Sequence, residues 1–404
     1  MTTWTKQKLG DLAEIVMGQS PQSKFYNESA DGMPFFQGVK DFGKKYPVET
    51  KWTTYASKIC GVNDILFSVR APVGEINIAK KKSAIGRGVC AIRSKNNQND
   101  FLYFLLHANI EKIISIGNGA VYSAINKPTL EKLEFLIPDL PTQSHIALVL
   151  SAYDGLIENN EKRIKILEEM AQRLYTEWFV KFKFPGYKKA KLVDSSLGKI
   201  PEEWETNRLD KYAKVVRGTS YSTEQIDDEL GDFYLVNLKS FNRGGGFRSD
   251  GDKYFNGSVK EEQYLKRGDI VVAVTDMTTD RAVISRPARI PSIRSKKITF
   301  SADVVKIAPI EIPMAFTYYT LLDYRFTETT KNKANGANVL HLKPEAISEY
   351  KVLLPTKKLM DDFERACISI VELKDSLSEK NEKLVKMRDL LIPKLVTGRR
   401  EIKQ

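Results

Sequence analysis

Two stretches of the chain, ENNEKRIKILEEMAQRLY (Glu158–Tyr175) and EKNEKLVKMRDLLIPKL (Glu379–Leu395), share the phrase Asn-Glu-Lys followed by a run of helix-forming residues. In both, apolar residues recur at steps of three and four, a spacing that predicts a helix with one apolar face. Because a chain of 404 residues contains this helix twice, the sequence indicates an internal duplication.

The repetition extends beyond the two helices. Residues 4–22 align without a gap with residues 204–222, which pairs Gly18 with Gly218. Further along the chain, GVKDFG matches NLKSFN, NDILFSV matches GDIVVAV, and NGA occurs in both halves. The offset between matching segments drifts from about 200 to 221, as loops of unequal length require. Each half is therefore a globular unit followed by a long helix.

Short apolar runs rich in β-branched residues predict that the globular units are mostly β-structure. The runs are DILFSVRA, RGVCAIRS, DIVVAVTD and SADVVKIAP, whereas FLYFLLHANIEKII and MAFTYYTLLDYRF have the spacing of buried helices. We therefore predict an α+β fold with two mostly-β domains in tandem. Each domain is followed by a long helix, and the two helices pair as an antiparallel coiled coil.

Sustained apolar spacing near 3.5 residues, over about five heptads, favours this coiled coil over two amphipathic helices that each pack on their own domain. Asn160 and Lys380 are the polar positions of the predicted seam, and such positions often fix the register. The alternative with separately packed helices stays open at this point. The predicted seam comprises Leu150, Ile157, Asn160, Ile164, Leu167, Leu174, Ile370, Leu373, Leu377, Lys380, Leu384, Met387 and Leu391.

The repeat predicts five segments. They are a first domain at 1–142, a first coiled-coil helix at 143–180, a linker at 181–202, a second domain at 203–358, and a second helix with a C-terminal tail at 359–404. The linker is rich in lysine and contains proline and glycine. It is interpreted either as a solvated connector or as an arm that contacts phosphates.

The charge balance points to a polyanionic partner. The chain has 63 Lys and Arg against 51 Asp and Glu, which gives a net charge of +12, and a basic excess of this kind raises the expectation of nucleic-acid binding. Three widely spaced cysteines argue against a disulfide framework and for a reducing compartment. Since the sequence shows neither a signal peptide nor a long apolar run, a cytoplasmic protein without membrane contact is expected.

Several catalytic motifs are absent from the sequence. There is no G-x-x-x-x-G-K-[ST] loop, no Asp/Asn-Pro-Pro-aromatic loop, no glycine-rich turn after a strand for a methyl donor, and no nuclease carboxylate cluster. The three histidines are isolated, so no metal site is predicted. The sequence therefore predicts a binding protein and not an enzyme.

Motifs in both halves resemble those of the specificity subunit of type I restriction-modification systems. They are the opening W…LGD…VMGQSP, KPTLEKLEFLIPDLP, NNEKRIKILEEMAQRLYTEWFVKF, LGKIPEEW and LLIPKLVTG, and the resemblance extends from Trp4 to Gly398. It implies that each globular unit is a target recognition domain for one half of a bipartite site in double-stranded DNA. It also implies that the paired helices set the spacing and dock two modification (methyltransferase) subunits.

The same resemblance implies that the cofactors belong to the partner subunits. Modification subunits would carry S-adenosylmethionine and methylate one adenine in each half-site, and restriction subunits would supply ATP- and Mg-dependent translocation and cleavage. No cofactor is expected in this chain. Roughly 32 helical residues at about 1.5 Å each span about 48 Å, which exceeds one DNA turn of about 34 Å and suits two major-groove contacts on one face.

Candidate DNA contacts lie in loops, where binding residues vary most readily. Arg and Lys suit guanine and phosphate, while a solvated surface role is the alternative for each of them. Arg243 is favoured because three adjacent glycines permit close backbone approach. The candidates are Ser20, Lys24, Tyr26, Lys40, Lys44, Lys45, Arg70 and Arg87 in the first domain, and Ser220, Tyr221, Lys239, Arg243, Arg248, Arg281, Arg294, Lys296 and Lys297 in the second.

One other function fits the architecture. The chain could be a non-catalytic scaffold whose coiled coil joins two protein-binding domains, with its basicity incidental. Salt dependence distinguishes the two functions, because binding through several phosphate contacts weakens by orders of magnitude between about 50 and 200 mM salt. Docking on apolar seams does not weaken in this way.

Overall fold

The chain divides into two compact units in a computed structural model that describes residues 4–117, 124–248, 251–277, 280–293, 297–336 and 339–398. Unit 1 combines residues 1–159 with 381–404, and unit 2 consists of residues 160–380. Each unit therefore contains one globular part and a portion of both long helices.

The helices include two long ones, α5 and α9, whose apolar periodicity was evident in the sequence. A short π-helical segment, Thr176–Val180, follows α5. Of the described helices, none is long and apolar enough to cross a membrane. The helices are α1 (Leu9–Leu12), α2 (Asn99–Ala108), α3 (Ile110–Gly117), α4 (Lys127–Glu131), α5 (Leu140–Tyr175), α6 (Met314–Leu322), α7 (Tyr324–Lys331), α8 (Pro344–Ser348) and α9 (Lys357–Val396).

The strands of unit 1 form three sheets. They are β1 (Thr5–Lys8), β2 (Ala13–Met17), β3 (Tyr26–Asn27), β4 (Met33–Phe36), β5 (Trp52–Thr53), β6 (Ile59–Cys60), β7 (Ile65–Ser68), β8 (Ile76–Ile78), β9 (Ser83–Ile85), β10 (Val89–Ser94) and β11 (Glu134–Ile137). The sheet orders are β1-β11, β2-β10-β7-β8 and β3-β5-β4-β9-β6. The pair β4–β9 is parallel, and the other paired strands run antiparallel.

Unit 2 repeats this arrangement. Its strands are β12 (Leu192–Ser195), β13 (Gly198–Pro201), β14 (Glu205–Arg208), β15 (Ala213–Arg217), β16 (Ile226–Asp227), β17 (Phe233–Val236), β18 (Tyr254–Phe255), β19 (Ile270–Ala273), β20 (Thr275–Asp276), β21 (Pro287–Arg289), β22 (Ile298–Phe300), β23 (Val304–Pro309), β24 (Leu340–His341) and β25 (Lys351–Leu354). The order β15-β23-β19-β21 matches β2-β10-β7-β8 of unit 1, and β16-β18-β17-β22 matches the first four strands of the five-stranded sheet β3-β5-β4-β9-β6, including the parallel pair β17–β22. The pairs β12–β13, β14–β25 and β20–β24 complete the unit.

The predicted elements are confirmed. The four apolar runs form β7, β10, β19 and β23, and the two predicted buried helices each form a helix pair, α2–α3 and α6–α7. The predicted α+β class is therefore confirmed. The glycine-rich segment after β17 is a loop closed by an antiparallel bridge between Phe241 and Phe247.

Each unit has a core that joins its sheet to the long helices. In unit 1, Phe67 and Phe104 are buried in one cluster with Leu150 of α5 and Val396 of α9. In unit 2, the corresponding cluster contains Phe316, Phe326, Tyr175 and Phe363. Burying a large apolar side chain contributes about 1.5–3 kcal/mol, so the helices stabilise the units into which they pack.

Within unit 1, α5 and α9 run antiparallel. Asn381 Nδ2 donates to the carbonyl of Ile157 at 3.2 Å, and Arg388 Nη1 donates to Asp154 Oδ1 at 2.7 Å. A later residue of α9 therefore contacts an earlier residue of α5. This confirms the predicted antiparallel pairing for the portions of both helices that belong to unit 1.

Within unit 2, the helices also run antiparallel. Glu168 of α5 forms an ion pair with Lys374 of α9, and the ring of Tyr175 lies 6.0 Å from that of Phe363. The later α5 residue thus contacts the earlier α9 residue. Aromatic contacts around Phe363 add about 0.5–1.5 kcal/mol each beyond burial.

The phase of the predicted α9 seam needs a correction. Leu373 is 41% exposed, Met387 is 51% exposed and Lys380 is also exposed. The residues of α9 that face inward instead include Cys367, which is buried, and Arg388, which is half-buried. Every second position of the predicted α9 seam is therefore shifted by one residue. Of the other predicted seam residues, the buried ones are Leu150, Ile157, Asn160 and Leu377, and the half-buried ones are Ile164, Leu167, Leu174, Ile370, Leu384 and Leu391.

Candidate nucleic-acid interface

Loops at the ends of several strands form an open cleft of about 250 Å³ in unit 1. Ser20 follows β2, Gln37 follows β4, Arg70 follows β7, and Arg87 lies between β9 and β10. The structure thereby brings together three predicted DNA contacts, Ser20, Arg70 and Arg87, that are far apart in the sequence. We call this the unit 1 cleft.

Backbone hydrogen bonds fix the loops around the unit 1 cleft. The Gln37 amide donates to Asp41 Oδ2 at 2.6 Å, and the Gln37 carbonyl accepts from the Gly88 amide at 3.1 Å. The Arg87 amide donates to Ser20 Oγ at 3.3 Å. Because Asp41 is only 2% exposed, its carboxylate is a rigid acceptor. The cleft side chains therefore project from a fixed backbone.

Gly18 and Gly218 lie where two backbone segments approach closely. A Cβ on Gly18 would lie 2.2 Å from the carbonyl oxygen of Gly86, and a Cβ on Gly218 would lie 2.0 Å from that of Ser301. No larger residue fits at either position without a backbone shift. This close approach is the physical reason for the predicted role of both glycines in loop geometry.

Other predicted contacts of unit 1 lie around the cleft or on neighbouring loops. Lys40 Nζ donates to Gln37 Oε1 at 2.9 Å, which places it beside the cleft. The Tyr26 hydroxyl donates to the carbonyl of Pro21 at 2.8 Å. Lys24 is exposed, with its ammonium 5.0 Å from the centre of the Phe25 ring, and Lys44 is also exposed.

Lys45 does not have the exposed position expected of a DNA contact. Its ammonium pairs with Asp154 at 3.0 Å and with Glu158 at 2.7 Å, and its side chain is only 22% exposed. Burial alone would lower the pKa of Lys45, but the hydrogen bonds with Glu158 and Asp154 together raise it. Since both carboxylates belong to α5, Lys45 attaches the globular part of unit 1 to the helix. This corrects its predicted role.

A second ionic contact occupies the equivalent helix position in unit 2. Asp375 of α9 is 5% exposed and accepts from Arg267 at 2.8 Å, with Arg289 at 3.9 Å. Asp154 and Asp375 are related by the same offset of 221 as the two Asn-Glu-Lys phrases. Both carboxylates therefore link a long helix to the globular part of its own unit.

Unit 2 has the same loop frame with different side chains. Thr219 donates to the carbonyl of Phe300 at 2.8 Å, as Gln19 does to Ile85 at 2.9 Å in unit 1. Val274 donates to the carbonyl of Asp303 at 2.8 Å, as Val69 does to Gly88 at 2.9 Å. These matches identify the equivalents of the cleft residues Ser20, Arg70 and Arg87 as Ser220, Thr275 and Ala302. Asn237 is taken as the counterpart of Gln37 because it directly follows β17, as Gln37 directly follows β4. Both arginines of the unit 1 cleft are thus replaced by uncharged residues.

Basic residues of unit 2 lie instead around the loop between Phe241 and Phe247. Gly244, Gly245 and Gly246 all have positive φ values of 91°, 109° and 88°, which only glycine adopts readily. Arg243 is 70% exposed and lies 3.5 Å from Asp280, a surface pair that contributes little stability. The loop therefore presents an exposed cation beside three residues that have no β-carbon.

The remaining candidates of unit 2 lie in different environments. Ser220 and Lys239 are exposed, as is Arg281, which has a positive φ of 51°. Tyr221 is 39% exposed, and its ring lies 6.5 Å from that of Phe255.

Two further basic candidates of unit 2 are described by the structure. The backbone amide of Arg248 donates to the carbonyl of Ser240 at 2.9 Å. The Lys297 ammonium lies 5.5 Å from the centre of the Phe233 ring. The predicted contacts Arg294 and Lys296 lie outside the described residues.

Sequence reasoning missed Gln37 and its equivalent Asn237. Both directly follow a strand, β4 or β17, and the backbone amide of each donates to a side chain of the next turn, Asp41 or Ser240. The available signal was an amide residue directly after each of the apolar runs MPFF and FYLV.

Cysteine and metal chemistry find no support in the described part of the chain. Cys60, Cys90 and Cys367 are buried free thiols. Burial raises the pKa of Cys60 to about 11 and that of Cys90 to about 12, so both thiols are protonated and unreactive near neutral pH. No group of His, Cys, Asp and Glu among these residues could hold a metal ion.

Comparisons with known proteins agree with this architecture. A family model described as the type I restriction modification DNA specificity domain matches residues 1–169. A Methanocaldococcus jannaschii protein described as the MjaX type I specificity subunit is 40% identical over 175 residues, which cover 42% of this chain and 41% of that protein. The specificity subunit of the type I restriction enzyme MjaIX, from the same organism, is 25% identical over 99% of this chain and 94% of its own length.

A solved structure shows the same fold over nearly the whole chain. The type I restriction-modification S subunit from M. genitalium matches with a TM-score of 0.58 and 17% identity, covering 98% of this chain and 96% of that one. Residues 1–169 therefore match the type I restriction modification DNA specificity domain, and over nearly its whole length the chain is similar in sequence to a type I specificity subunit and in fold to a type I S subunit.

Proposed function

We propose that this protein recognises a bipartite site in double-stranded DNA for a type I restriction-modification complex, with one half-site contacted by each unit. The observation that carries the proposal is the pair of matching loop frames with different exposed side chains. A shared frame gives two surfaces of similar shape, and different side chains give them different base preferences. The net charge of +12 supports a polyanionic partner.

The DNA contacts come from exposed loop residues. We assign the role to the sequence-derived candidates other than Lys45, whose ammonium is occupied by two carboxylates of α5. Exposed Lys and Arg side chains suit phosphates and guanine edges, and Ser and Tyr hydroxyls suit phosphates. Each contact with a phosphate releases counterions, so binding depends strongly on salt.

The long helices set the spacing between half-sites and dock two modification subunits. The 36 residues of α5 extend over about 54 Å at about 1.5 Å per residue. Both helices carry apolar side chains on their exposed faces, which is typical of surfaces that bind another protein. The exposed residues are Leu148, Leu156, Ile166 and Met170 on α5, and Ile368, Leu373, Met387 and Leu390 on α9.

Catalysis belongs to the partner subunits in this proposal. The modification subunits hold S-adenosylmethionine and methylate adenine, and restriction subunits use ATP and Mg to translocate and cleave DNA. The chain itself acts in the cytoplasm as a non-catalytic subunit. Its contribution is the choice of sequence.

Mapping of adenine methylation tests the proposed function. The chain is expressed with its modification subunit in a host without adenine methylation, and the genome is sequenced with a method that detects the modified base. We expect one bipartite motif with a fixed gap, absent when this chain is omitted. Methylation that does not depend on this chain, or no methylation by a stable purified complex, would contradict the proposal.

Exchange of one domain provides the matching control. Replacement of residues 1–142 with the first domain of another specificity subunit should change one half-site and leave the other intact, because each unit has its own loop frame. A change in both half-sites would contradict separate recognition. DNA binding by the assembled complex should also weaken by orders of magnitude between about 50 and 200 mM salt.

A further inference from the structure

We propose that Gln37 selects an adenine in the half-site of unit 1, with Arg70 and Arg87 contacting neighbouring guanines, and that unit 2 lacks this adenine-selecting site. The inference rests on the proposed function and names the base chemistry of one cleft. It is carried by the unit 1 cleft, where these three side chains converge.

The Gln37 backbone is fixed at both of its polar groups. Its amide donates to the buried Asp41 carboxylate at 2.6 Å, and its carbonyl accepts from Gly88 at 3.1 Å. A side chain that projects from such a fixed point loses little conformational entropy on binding. This is the geometry expected of a residue that discriminates between bases.

The Gln37 side chain has the donor and acceptor pair that adenine requires. A glutamine amide can accept from adenine N6 and donate to adenine N7 at the same time. Lys40 Nζ donates to Gln37 Oε1 at 2.9 Å. This contact orients the amide and leaves Oε1 with a second lone pair for the base.

Arg70 and Arg87 complete a surface suited to purines. Both are exposed and line the same cleft as Gln37. An arginine fork binds O6 and N7 of guanine through two parallel hydrogen bonds. Two arginines beside one glutamine therefore favour a half-site in which adenine adjoins guanine.

The equivalent place in unit 2 lacks these properties. Asn237 Oδ1 accepts from the Lys239 amide at 2.8 Å, and Asn237 Nδ2 donates to the carbonyl of Leu235 at 3.4 Å. Its side chain is thus engaged in capping its own turn. The counterparts of the two arginines are Thr275, which is buried, and Ala302. Asn237, Thr275 and Ala302 therefore supply neither a free amide nor the two cations that line the unit 1 cleft.

Binding measurements on the assembled complex test the inference. The two half-sites are first obtained from the methylation map, and every base pair of both is then replaced in turn in short duplexes. We expect Gln37→Glu to reduce the preference for adenine at one position of the unit 1 half-site by about 5- to 150-fold, since a carboxylate cannot donate to N7. All positions of the other half-site should keep their preferences.

Asn237→Asp is the matched control. It makes the same amide-to-carboxylate change at the equivalent position, and its retained oxygen can still accept from Lys239. We expect no change in base preference in either half-site. A changed preference would show that unit 2 also uses this place and would overturn the asymmetry.

Two further results would overturn the inference. One is an unchanged adenine preference in Gln37→Glu, and the other is a loss confined to a position where adenine is not preferred. Either differs from failure of the proposed function, in which the wild-type complex itself would show no base preference.

Arg87→Lys keeps the test decisive if Gln37→Glu assembles poorly. Lysine retains the positive charge but not the two-pronged donor geometry. We expect a weakened guanine preference in the unit 1 half-site with the same salt dependence as the wild type. An unchanged guanine preference would show that Arg87, and therefore the unit 1 cleft, takes no part in base recognition.

Discussion

Unit 1 and unit 2 share the order of their strands and the hydrogen bonds between their loops, but they differ in the side chains that those loops present. Arg70 and Arg87 in unit 1 correspond to Thr275 and Ala302 in unit 2, where basic residues lie near a glycine-rich loop instead. The frame is made by backbone groups, which every residue supplies. Side chains at the strand ends can therefore change without loss of the fold.

The largest expected effect is a loss of stability, and it differs between the ionic contacts formed by Asp154 and Asp375. Asp154→Ala should lower the free energy of unfolding by about 3–5 kcal/mol, because it leaves two partly buried cations, Lys45 and Arg388, without this carboxylate. Asp375→Ala should cost less, since its main partner Arg267 is 49% exposed and can be solvated. Hydrogen exchange measured by mass spectrometry reports the stability of each unit separately.

Asp11→Ala provides the control for this comparison. Asp11 is exposed in the short helix α1 of unit 1, so its loss should leave hydrogen exchange unchanged. Equal destabilisation by Asp154→Ala and Asp375→Ala would show that exposure of the partner does not determine the effect.

A smaller and equal effect is expected at the two glycines that match across the units. Gly18→Ala and Gly218→Ala should each cost about 1–3 kcal/mol, because the new methyl group would meet a backbone carbonyl that cannot move away freely. Gly155→Ala in α5 is the control, as no atom lies within 4 Å of its Cβ position. That change should stabilise the helix by about 0.5–1 kcal/mol, measured by thermal unfolding.

Unequal losses of stability in Gly18→Ala and Gly218→Ala would show that the loops of the two units are not structurally equivalent. Full tolerance of both substitutions would show that the crossing backbones can separate without cost. Circular dichroism of each variant before melting shows whether the secondary structure is retained.

The smallest effect is a pH response of opposite sign in the two units. Burial would raise the pKa of Glu158, but hydrogen bonds from Lys45 and Tyr46 lower it overall. Its contribution is therefore complete above the ordinary glutamate pKa and is lost as the pH falls below it. In unit 2, burial raises the pKa of Glu364, so its ionisation disfavours folding as the pH rises above the ordinary value.

Substitution by glutamine isolates these two responses. Glu158→Gln should reduce the acid sensitivity of unit 1, and Glu364→Gln should reduce the loss of stability of unit 2 between about pH 4 and about pH 7. Hydrogen exchange at both pH values gives the measurement. A response of the same sign in both units would contradict the assigned causes.

The sequence predicts the repeat and the class of fold because both depend on periodic patterns. The phase of the α9 seam is harder to predict, since Leu373 and Met387 fit a three-four spacing as well as Cys367 does. Only the packing partner decides which row faces inward. The pattern alone contains no information about that partner.

Site residues are predicted less completely because they depend on contacts between distant segments. Lys45 looked like a surface cation, and only the folded chain brings Asp154 and Glu158 to it. Conversely, Ser20, Arg70 and Arg87 were proposed separately, and the fold brings them into one cleft. Gln37 was missed because an amide has no charge to mark it.

The division of α9 between the two units affects how the protein is made. The core of unit 1 includes Ile392, Leu395 and Val396, which pack with residues from the first half of the chain. During translation, the ribosome synthesises all of unit 2 before these three residues emerge. Part of the apolar core of the first domain therefore stays exposed until synthesis of the chain reaches the end of α9. A chain truncated within α9 would lack a complete unit 1, although it would contain every strand of that unit.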